Sequence, residues 1–361
     1  MNMVQPTYRH IDEMRPWSDR EHRLECVAVT PEAPDVMTFT FRPDRPGVWF
    51  RYLPGQFLTL EIPARPEPLM RTYTLSSSPS RPYTVSVTVK AQKGSLGTRW
   101  MFDNLRPGMA LKAFGPQGDF SYARHPGDRY LFLSAGSGIT PMMSMTRDLG
   151  DRSPDSDITF LHCARSPDDI IFRWELEARA RDMPQFTLGL IVEQLSRGQL
   201  WSGLKGRIDK AKIALLAPDF LDRTVFCCGP EPFMATVRES LSGAGFDMGH
   251  YHEETFHPVA PPPPIATADP HRGVEPSRIL FSASGKEGAC EPGHTILQAA
   301  RAAGVRIAAA CESGLCGTCK VRKLAGEVEM NHNGGILDDE IDDGFILACC
   351  SRPMGDVEIE A

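Results

Sequence analysis

The sequence predicts a multidomain chain of α/β and β parts: an antiparallel β-barrel over residues 22–124, a doubly wound parallel sheet over 125–257 and a small β-grasp domain over 278–361. A lead segment, 1–21, comes first, and a proline-rich linker, 258–277, separates the second and third parts. Three observations carry this division. Short β-rich stretches with Pro/Gly punctuation fill the first part, near-continuous apolar runs alternating with helical stretches fill the second, and four consecutive prolines mark the linker. A chain of 361 residues is in any case too long for one core.

Each element follows from its own residues. Thr38-Phe39-Thr40-Phe41 and the stretch 83–89 are β-rich, and Leu53-Pro54-Gly55 punctuates between them. Short strands at this spacing suit a closed antiparallel barrel. A helix is expected over 99–104. The runs 130–134, 158–162, 186–191 and 224–228 are apolar on both alternating positions, as strands buried on two faces of a parallel sheet must be. Pro261 to Pro264 cannot enter a helix or a central strand and favour extended polyproline II, a semi-rigid tether of about 3.1 Å per residue. Beyond it, 278–282 and 320–330 read as strands. The stretch from Thr295, a plausible N-cap, to Gly304 reads as a helix.

Composition narrows the function classes. The net charge of −7 argues against a nucleic-acid footprint. No apolar run approaches the roughly 20 residues that span a bilayer, and the N-terminal segment lacks the apolar core of a signal peptide. The expectation is a cytoplasmic protein, without membrane or nucleic-acid partner, whose ten cysteines serve metal or redox chemistry and not disulfides.

Cys311, Cys316 and Cys319 follow the C-x4-C-x2-C spacing of a plant-type [2Fe–2S] cluster, with a fourth cysteine about thirty residues later. Gly314 and Gly317 let such a loop fold closely around the sulfides. Zinc sites pair their ligands as C-x2-C knuckles or recruit histidine, which this run does not.

The front motifs are individually weaker. In Arg71-Thr72-Tyr73-Thr74 a guanidinium offers a fork to phosphate, a tyrosine can lie against a planar ring and a hydroxyl can bond a ring nitrogen. Many strands also end this way. Gly94-Ser95-Leu96-Gly97-Thr98 is a glycine-rich turn before a helix, suited to a pyrophosphate. Gly136-Ser137-Gly138-Ile139-Thr140-Pro141 is a second such turn, directly after an apolar run, or simply a tight βα turn. Cys228-Gly229-Pro230 ends another buried run. At the carboxyl end of a parallel strand it suits a nicotinamide contact, with a small core residue as the alternative. Arg165 could accept a 2′-phosphate, whereas Asp168 and Asp169 would repel one, so NADH is expected over NADPH.

Taken in order, Arg71-x-Tyr73-Thr74, Gly136-x-Gly138-x-x-Pro141, Cys228-Gly229-Pro230 and Glu254-Thr255-Phe256 resemble the ferredoxin–NADP reductase superfamily. With the cysteine motif the chain resembles the flavin-reductase–ferredoxin hybrids that serve Rieske-type oxygenases, above all the reductase components of glycine betaine and stachydrine demethylases. Reductases of hybrid-cluster proteins are near relatives. The resemblance covers roughly residues 22–361. It implies a flavin-binding barrel, an NAD-binding parallel sheet and a C-terminal ferredoxin domain.

It also implies roles. Arg71 would bind flavin phosphate, Tyr73 the ring–ribityl region and Thr74 the neighbourhood of N5. Gly94, Ser95 and Thr98 would hold the pyrophosphate of FAD, although Ser95 and Gly97 depart from the usual loop. Gly136, Gly138, Thr140, Pro141, Arg165, Cys228, Gly229 and Pro230 would bind the nicotinamide dinucleotide. Phe256 would stack on the flavin until nicotinamide displaces it, so Thr74, Cys228 and Phe256 would line the reacting atoms. The family pattern Leu347-x-Cys349-x-x-x-Pro353 selects Cys349 over Cys350 as fourth ligand.

Electron arithmetic orders the cofactors. NADH gives two electrons, the cluster takes one, and a flavin must stand between. The expected partner is a separate Rieske-type oxygenase. The alternatives are a reductase of another redox protein such as a hybrid-cluster protein, a free-standing diaphorase, or a non-catalytic [2Fe–2S] carrier.

Overall fold

The computed structural model describes residues 10–17, 22–64, 68–91, 94–256, 276–312, 314, 316–332, 335–336 and 338–361. Most of the expected lead segment and nearly all of the expected proline-rich linker lie outside these residues. The chain forms two compact units, one made of most of residues 1–256 and the other containing the residues that follow.

The chain opens with strands β1 (Arg15–Pro16), β2 (His22–Ala33), β3 (Val36–Pro43), β4 (Val48–Trp49), β5 (Phe57–Ile62), β6 (Leu69–Thr74) and β7 (Val85–Lys90), helix α1 (Leu96–Asn104) and strand β8 (Ala110–Gln117), nearly all of them in the first unit. Six of these strands form a sheet in the order β6-β5-β8-β2-β3-β7. Alternation explains β7: in Val85-Ser86-Val87-Thr88-Val89 the valines point into the core. Leu75, just past β6, bridges to Val87 of β7, and Ser76 N–H donates to the Ser86 carbonyl. The two ends of the sheet thereby meet, which makes it the expected barrel. Helix α1 starts at Leu96, three residues before the expected start at Arg99, because the Ser95 hydroxyl accepts from Thr98 N–H and caps it.

The same unit continues with β9 (Arg129–Ala135), α2 (Ile139–Arg152), β10 (Asp157–Ala164), α3 (Arg173–Asp182), β11 (Phe186–Val192), β12 (Leu204–Lys205), α4 (Lys210–Leu216), β13 (Thr224–Cys228), α5 (Glu231–Ser242) and β14 (Tyr251–Glu254). All pairings in this sheet are parallel, and its order is β12-β11-β10-β9-β13-β14. Both faces are covered. Phe132, Phe160 and Phe226 pack with Met142, Met143 and Leu176 of α2 and α3. Their strand neighbours Leu131, Leu133, Leu161 and Val225 pack with Ile213, Met234 and Val237 of α4 and α5. This two-sided burial is why the strands read as unbroken apolar runs.

The second unit contains β15 (Ser277–Phe281), β16 (Lys286–Cys290), α6 (Ile296–Ala302), β17 (Lys320–Ala325), β18 (Val328–Met330), α7 (Asp338–Asp342), β19 (Phe345–Leu347), β20 (Ser351–Pro353) and β21 (Val357–Glu360). A mixed sheet, β16-β15-β21-β17-β19, packs against α6 around Ile279, Phe281, Ile296, Leu347 and Ile359. Thr295 and Gln298 form a capping box at the start of α6. The stretch expected as strand over 320–330 is two strands in different sheets. It breaks at Gly326, whose φ of +85° ends the extended run.

Candidate functional site

The sheet order reverses between β9 and β13, and a ligand site is expected outside the carboxyl ends of strands at such a switch point. There the register lines up His162, Ser134, Cys228 and Glu254 across β10, β9, β13 and β14. They stand one alternation beyond the row Phe160, Phe132, Phe226, so an apolar layer ends in a polar one.

The turn after β9 closes directly on this row. A Cβ on Gly138 would lie 2.2 Å from the Cys228 carbonyl oxygen, so only glycine allows the approach. Gly136 has φ +55°. The Thr140 hydroxyl donates to the Ser137 carbonyl at 3.1 Å, and Pro141 is the third residue of α2, where it has no intrahelical bond to lose. Gly229 meets Phe233 and Ala135 closely, and Pro230 leads into α5. Two helices thus begin at the carboxyl ends of neighbouring strands and present N–H groups to an anion.

His162, Ser134 and Cys228 of the row are buried, and Glu254 is half-buried. Burial, then Glu254, pushes the Cys228 thiol well up. Burial alone raises Glu254 to about 8, and its Oε2 is shut off from solvent with no hydrogen-bond partner among the described residues. His162, lowered to about 3 by burial and then by Lys90, shares a 2.8 Å hydrogen bond between Nδ1 and the Ser134 hydroxyl. Sequence reasoning gave Cys228 a nicotinamide contact and quoted Glu254 within a family motif, but assigned no site role to Glu254, Ser134 or His162. For Ser134 and His162 the available signal was a polar residue at the end of an otherwise apolar run; Tyr251-His252-Glu253-Glu254 is polar throughout and offered none for Glu254.

On the barrel side, Thr74 is buried at the end of β6, Tyr73 is half-buried and Arg71 is exposed, with its Nη1 donating to the Met70 carbonyl at 2.8 Å. Gly94 has φ +80° just before the cap at Ser95. Thr98 N–H is engaged by that cap and the Thr98 residue is buried. Phe256 is 44% exposed, two residues after Glu254. Arg165 is bound to Asp169 at 2.7 Å, and Asp169 also accepts from Ser166 and lies 3.7 Å from Lys90, whereas Asp168 is exposed. Of the two carboxylates, Asp169 is therefore the one that engages the cation.

In the second unit the four cysteines are arranged by twos. Cys316 N–H donates to Cys311 Sγ at 3.3 Å, and Cys311 N–H returns a bond to Cys316 Sγ at 3.4 Å. Cys349 N–H donates to Cys319 Sγ at 3.4 Å. Among the described residues no three His, Cys, Asp or Glu side chains converge on one ion position. Two pairs, each able to hold one iron, suit a binuclear cluster, and backbone N–H groups aimed at sulfur are what thiolate ligands require. Glu312, Gly314 and Gly317 all have positive φ, and an Arg301–Glu312 ion pair ties the loop to α6. In the second pair the Cys319 thiol is raised by its bond to Cys349, and Cys349 is correspondingly lowered. The residues fit a [2Fe–2S] group.

Fold and sites together define a modular oxidoreductase with separate flavin, nicotinamide and iron–sulfur parts. Comparison with known proteins agrees. Residues 24–122 match an oxidoreductase FAD-binding domain, 132–239 an oxidoreductase NAD-binding domain and 281–354 a 2Fe-2S iron-sulfur cluster binding domain. The chain is 50% identical over 351 residues to the stachydrine N-demethylase reductase subunit of Rhizobium meliloti, covering 96% of this chain and 98% of that one. It is 45% identical over 359 residues to the glycine betaine monooxygenase reductase subunit of Pseudomonas aeruginosa, covering 95% and 96%. Phthalate dioxygenase reductase shares the fold, with a TM-score of 0.59 at 23% identity over 95% of this chain and 98% of that one. The chain belongs to the family of demethylase and monooxygenase reductase subunits. It is an oxidoreductase that uses NADH, FAD and a [2Fe–2S] cluster to carry electrons. Among the described residues no helix is long and apolar enough to cross a membrane.

Proposed function

We propose that this reductase works in the cytoplasm and supplies electrons to a separate Rieske-type oxygenase that demethylates a small quaternary ammonium compound of the glycine betaine or stachydrine kind. The observation that carries the reading is the near full-length identity to reductase subunits of those two systems. FAD held by the first unit would supply the conversion of a two-electron hydride donor into one-electron release toward the cluster.

The chain's own residues bind and orient. Arg71 would hold flavin phosphate and Tyr73 would contact the ring–ribityl region. Gly94, Ser95 and Thr98 would lie at the FAD pyrophosphate, with the first turn of α1 as the donor end. Thr74 faces the flavin ring edge. Gly136, Gly138, Thr140 and Pro141 hold the dinucleotide at the start of α2, with Gly229 and Pro230 at the start of α5. Cys228 and Glu254 form the floor for nicotinamide, where a neutral thiol and a protonated carboxyl place no charge against the ring. Phe256 covers the flavin face in the absence of nicotinamide. Arg165, held by Asp169, lies toward the adenosine end. Cys311 and Cys316 would hold one iron, and Cys319 and Cys349 the other.

The test is reconstitution. The purified reductase is mixed with a glycine betaine or stachydrine demethylase oxygenase, NADH or NADPH, and each substrate, and formaldehyde release is compared with NADH oxidation. Coupled release with NADH preferred is expected. Rapid ferricyanide reduction without any coupling to either oxygenase would assign the electrons to a different partner.

A further inference from the structure

Helix α2 begins at the Gly136–Pro141 turn, and one of its faces is written in polar residues at helical spacing: Ser144, Arg147, Asp148 and Asp151. These meet the segment that directly continues β6 past Thr74, almost residue by residue. The Arg147 Nη1 donates to the Ser76 carbonyl at 2.5 Å. The Ser144 hydroxyl donates to the Ser77 carbonyl at 2.6 Å. Asp148 accepts from the Ser78 hydroxyl at 3.2 Å and from Tyr122 at 2.6 Å, and Asp151 accepts from Arg81 at 2.7 and 2.9 Å. Ser76, Ser78, Ser144 and Asp148 are buried, so the middle of this seam is interior, and only the Arg81–Asp151 pair at its end is exposed.

Arg147 is its most constrained member. Its guanidinium also donates to both oxygens of Glu175, at 2.9 and 2.5 Å, and lies 4.7 Å over the Phe172 ring. A planar fork held on one edge by a carboxylate and on one face by a ring has no freedom left for its remaining donor. The Ser76 carbonyl is thus fixed, and Ser76 itself is anchored by donating to Ser86 across the barrel closure.

We infer that Arg147 is a positioning residue for hydride delivery: by clamping Ser76 it sets the distance between the strand end that carries Tyr73 and Thr74 and the helix that starts at the dinucleotide turn. This rests on the proposed reading of those two segments as the flavin and nicotinamide halves of one reaction site. Hydride transfer demands reacting atoms at close range, and about 1 Å of misplacement costs on the order of 100-fold in rate. A hydrogen-bonded clamp between the halves is where such precision is held.

The test uses the full-length holoprotein as Arg147→Gln, Arg147→Lys, which keeps the charge but loses the planar fork, and Ser144→Ala. Single-turnover flavin bleaching is measured at saturating NADH and expressed per bound FAD, with and without deuterium at nicotinamide C4. Expected are a fall of roughly 10-fold or more for Arg147→Gln and a smaller fall for Arg147→Lys and Ser144→Ala, since clamp loss displaces the reacting pair. The isotope effect should rise while the NADH dissociation constant and the cluster spectrum stay put. Rates per bound FAD equal to wild type, with only FAD content or thermal stability reduced, would reduce the seam to ordinary packing and overturn the inference. If Arg147→Gln does not fold, the other two variants decide. A wild-type flavin that NADH fails to bleach would instead overturn the proposed function.

Discussion

Replacing Gly138 by alanine puts a methyl group 2.2 Å from the Cys228 carbonyl oxygen, 2.4 Å from its carbon and 2.7 Å from Gly229 N. All three are backbone atoms at the end of a central strand, so no side chain can rotate away. Real contacts of this kind stay beyond about 3 Å, so the turn or the strand end must recede by about 0.8 Å or more. That movement separates the start of α2 from the Cys228–Glu254 row, and at a reacting pair it predicts a loss of about 10- to 100-fold in hydride transfer. Stopped-flow reduction of the flavin by NADH reads the effect directly. The clash is local to the first unit, so FAD content and the iron–sulfur spectrum are expected to match wild type. A Gly138→Ala protein that bleaches at the wild-type rate would refute the placement of the nicotinamide site at this turn.

Serine in place of Cys311, Cys316, Cys319 or Cys349 is expected to abolish the cluster spectrum while NADH–ferricyanide activity persists, and Cys350→Ser should retain the cluster; iron and sulfide analysis checks both. Glu254 carries a pH signature. Its folded value, about 8, lies above the ordinary 4.5, so the folded state holds a proton that the unfolded state releases and stability falls as pH rises across that window. Glu254→Gln should remove this fall, so thermal midpoints of wild type and variant should diverge between pH 5 and pH 8, with wild type losing ground at the higher pH. The acidic run Asp338-Asp339-Glu340-Ile341-Asp342-Asp343 would steer the iron–sulfur module onto a basic patch of the oxygenase, so Asn in place of Asp338, Asp339, Asp342 and Asp343 should slow electron delivery and flatten its salt dependence, leaving ferricyanide turnover unchanged.

Much of this protein was legible without coordinates. The spacing of Cys311, Cys316 and Cys319 is a chemical specification, because three thiolates from one short loop suit few groups other than a [2Fe–2S] cluster. Unbroken apolar runs such as 130–134 and 224–228 announce strands buried on both faces, and Thr295 marks the start of its helix by its own hydroxyl. These are local signals, set by a residue and its near neighbours. Tertiary structure decided the rest. Neighbouring strands place Cys228 beside Ser134 and Glu254, residues 94 and 26 positions away, only once register is fixed. The same folding divides the cysteines into the pairs Cys311/Cys316 and Cys319/Cys349, brings Gly138 against the Cys228 carbonyl and lays one face of α2 along residues 76–81. Periodicity tells which face of an element is buried, not which distant segment it is buried against; that depends on pairing order and on turns whose geometry a single sequence does not state.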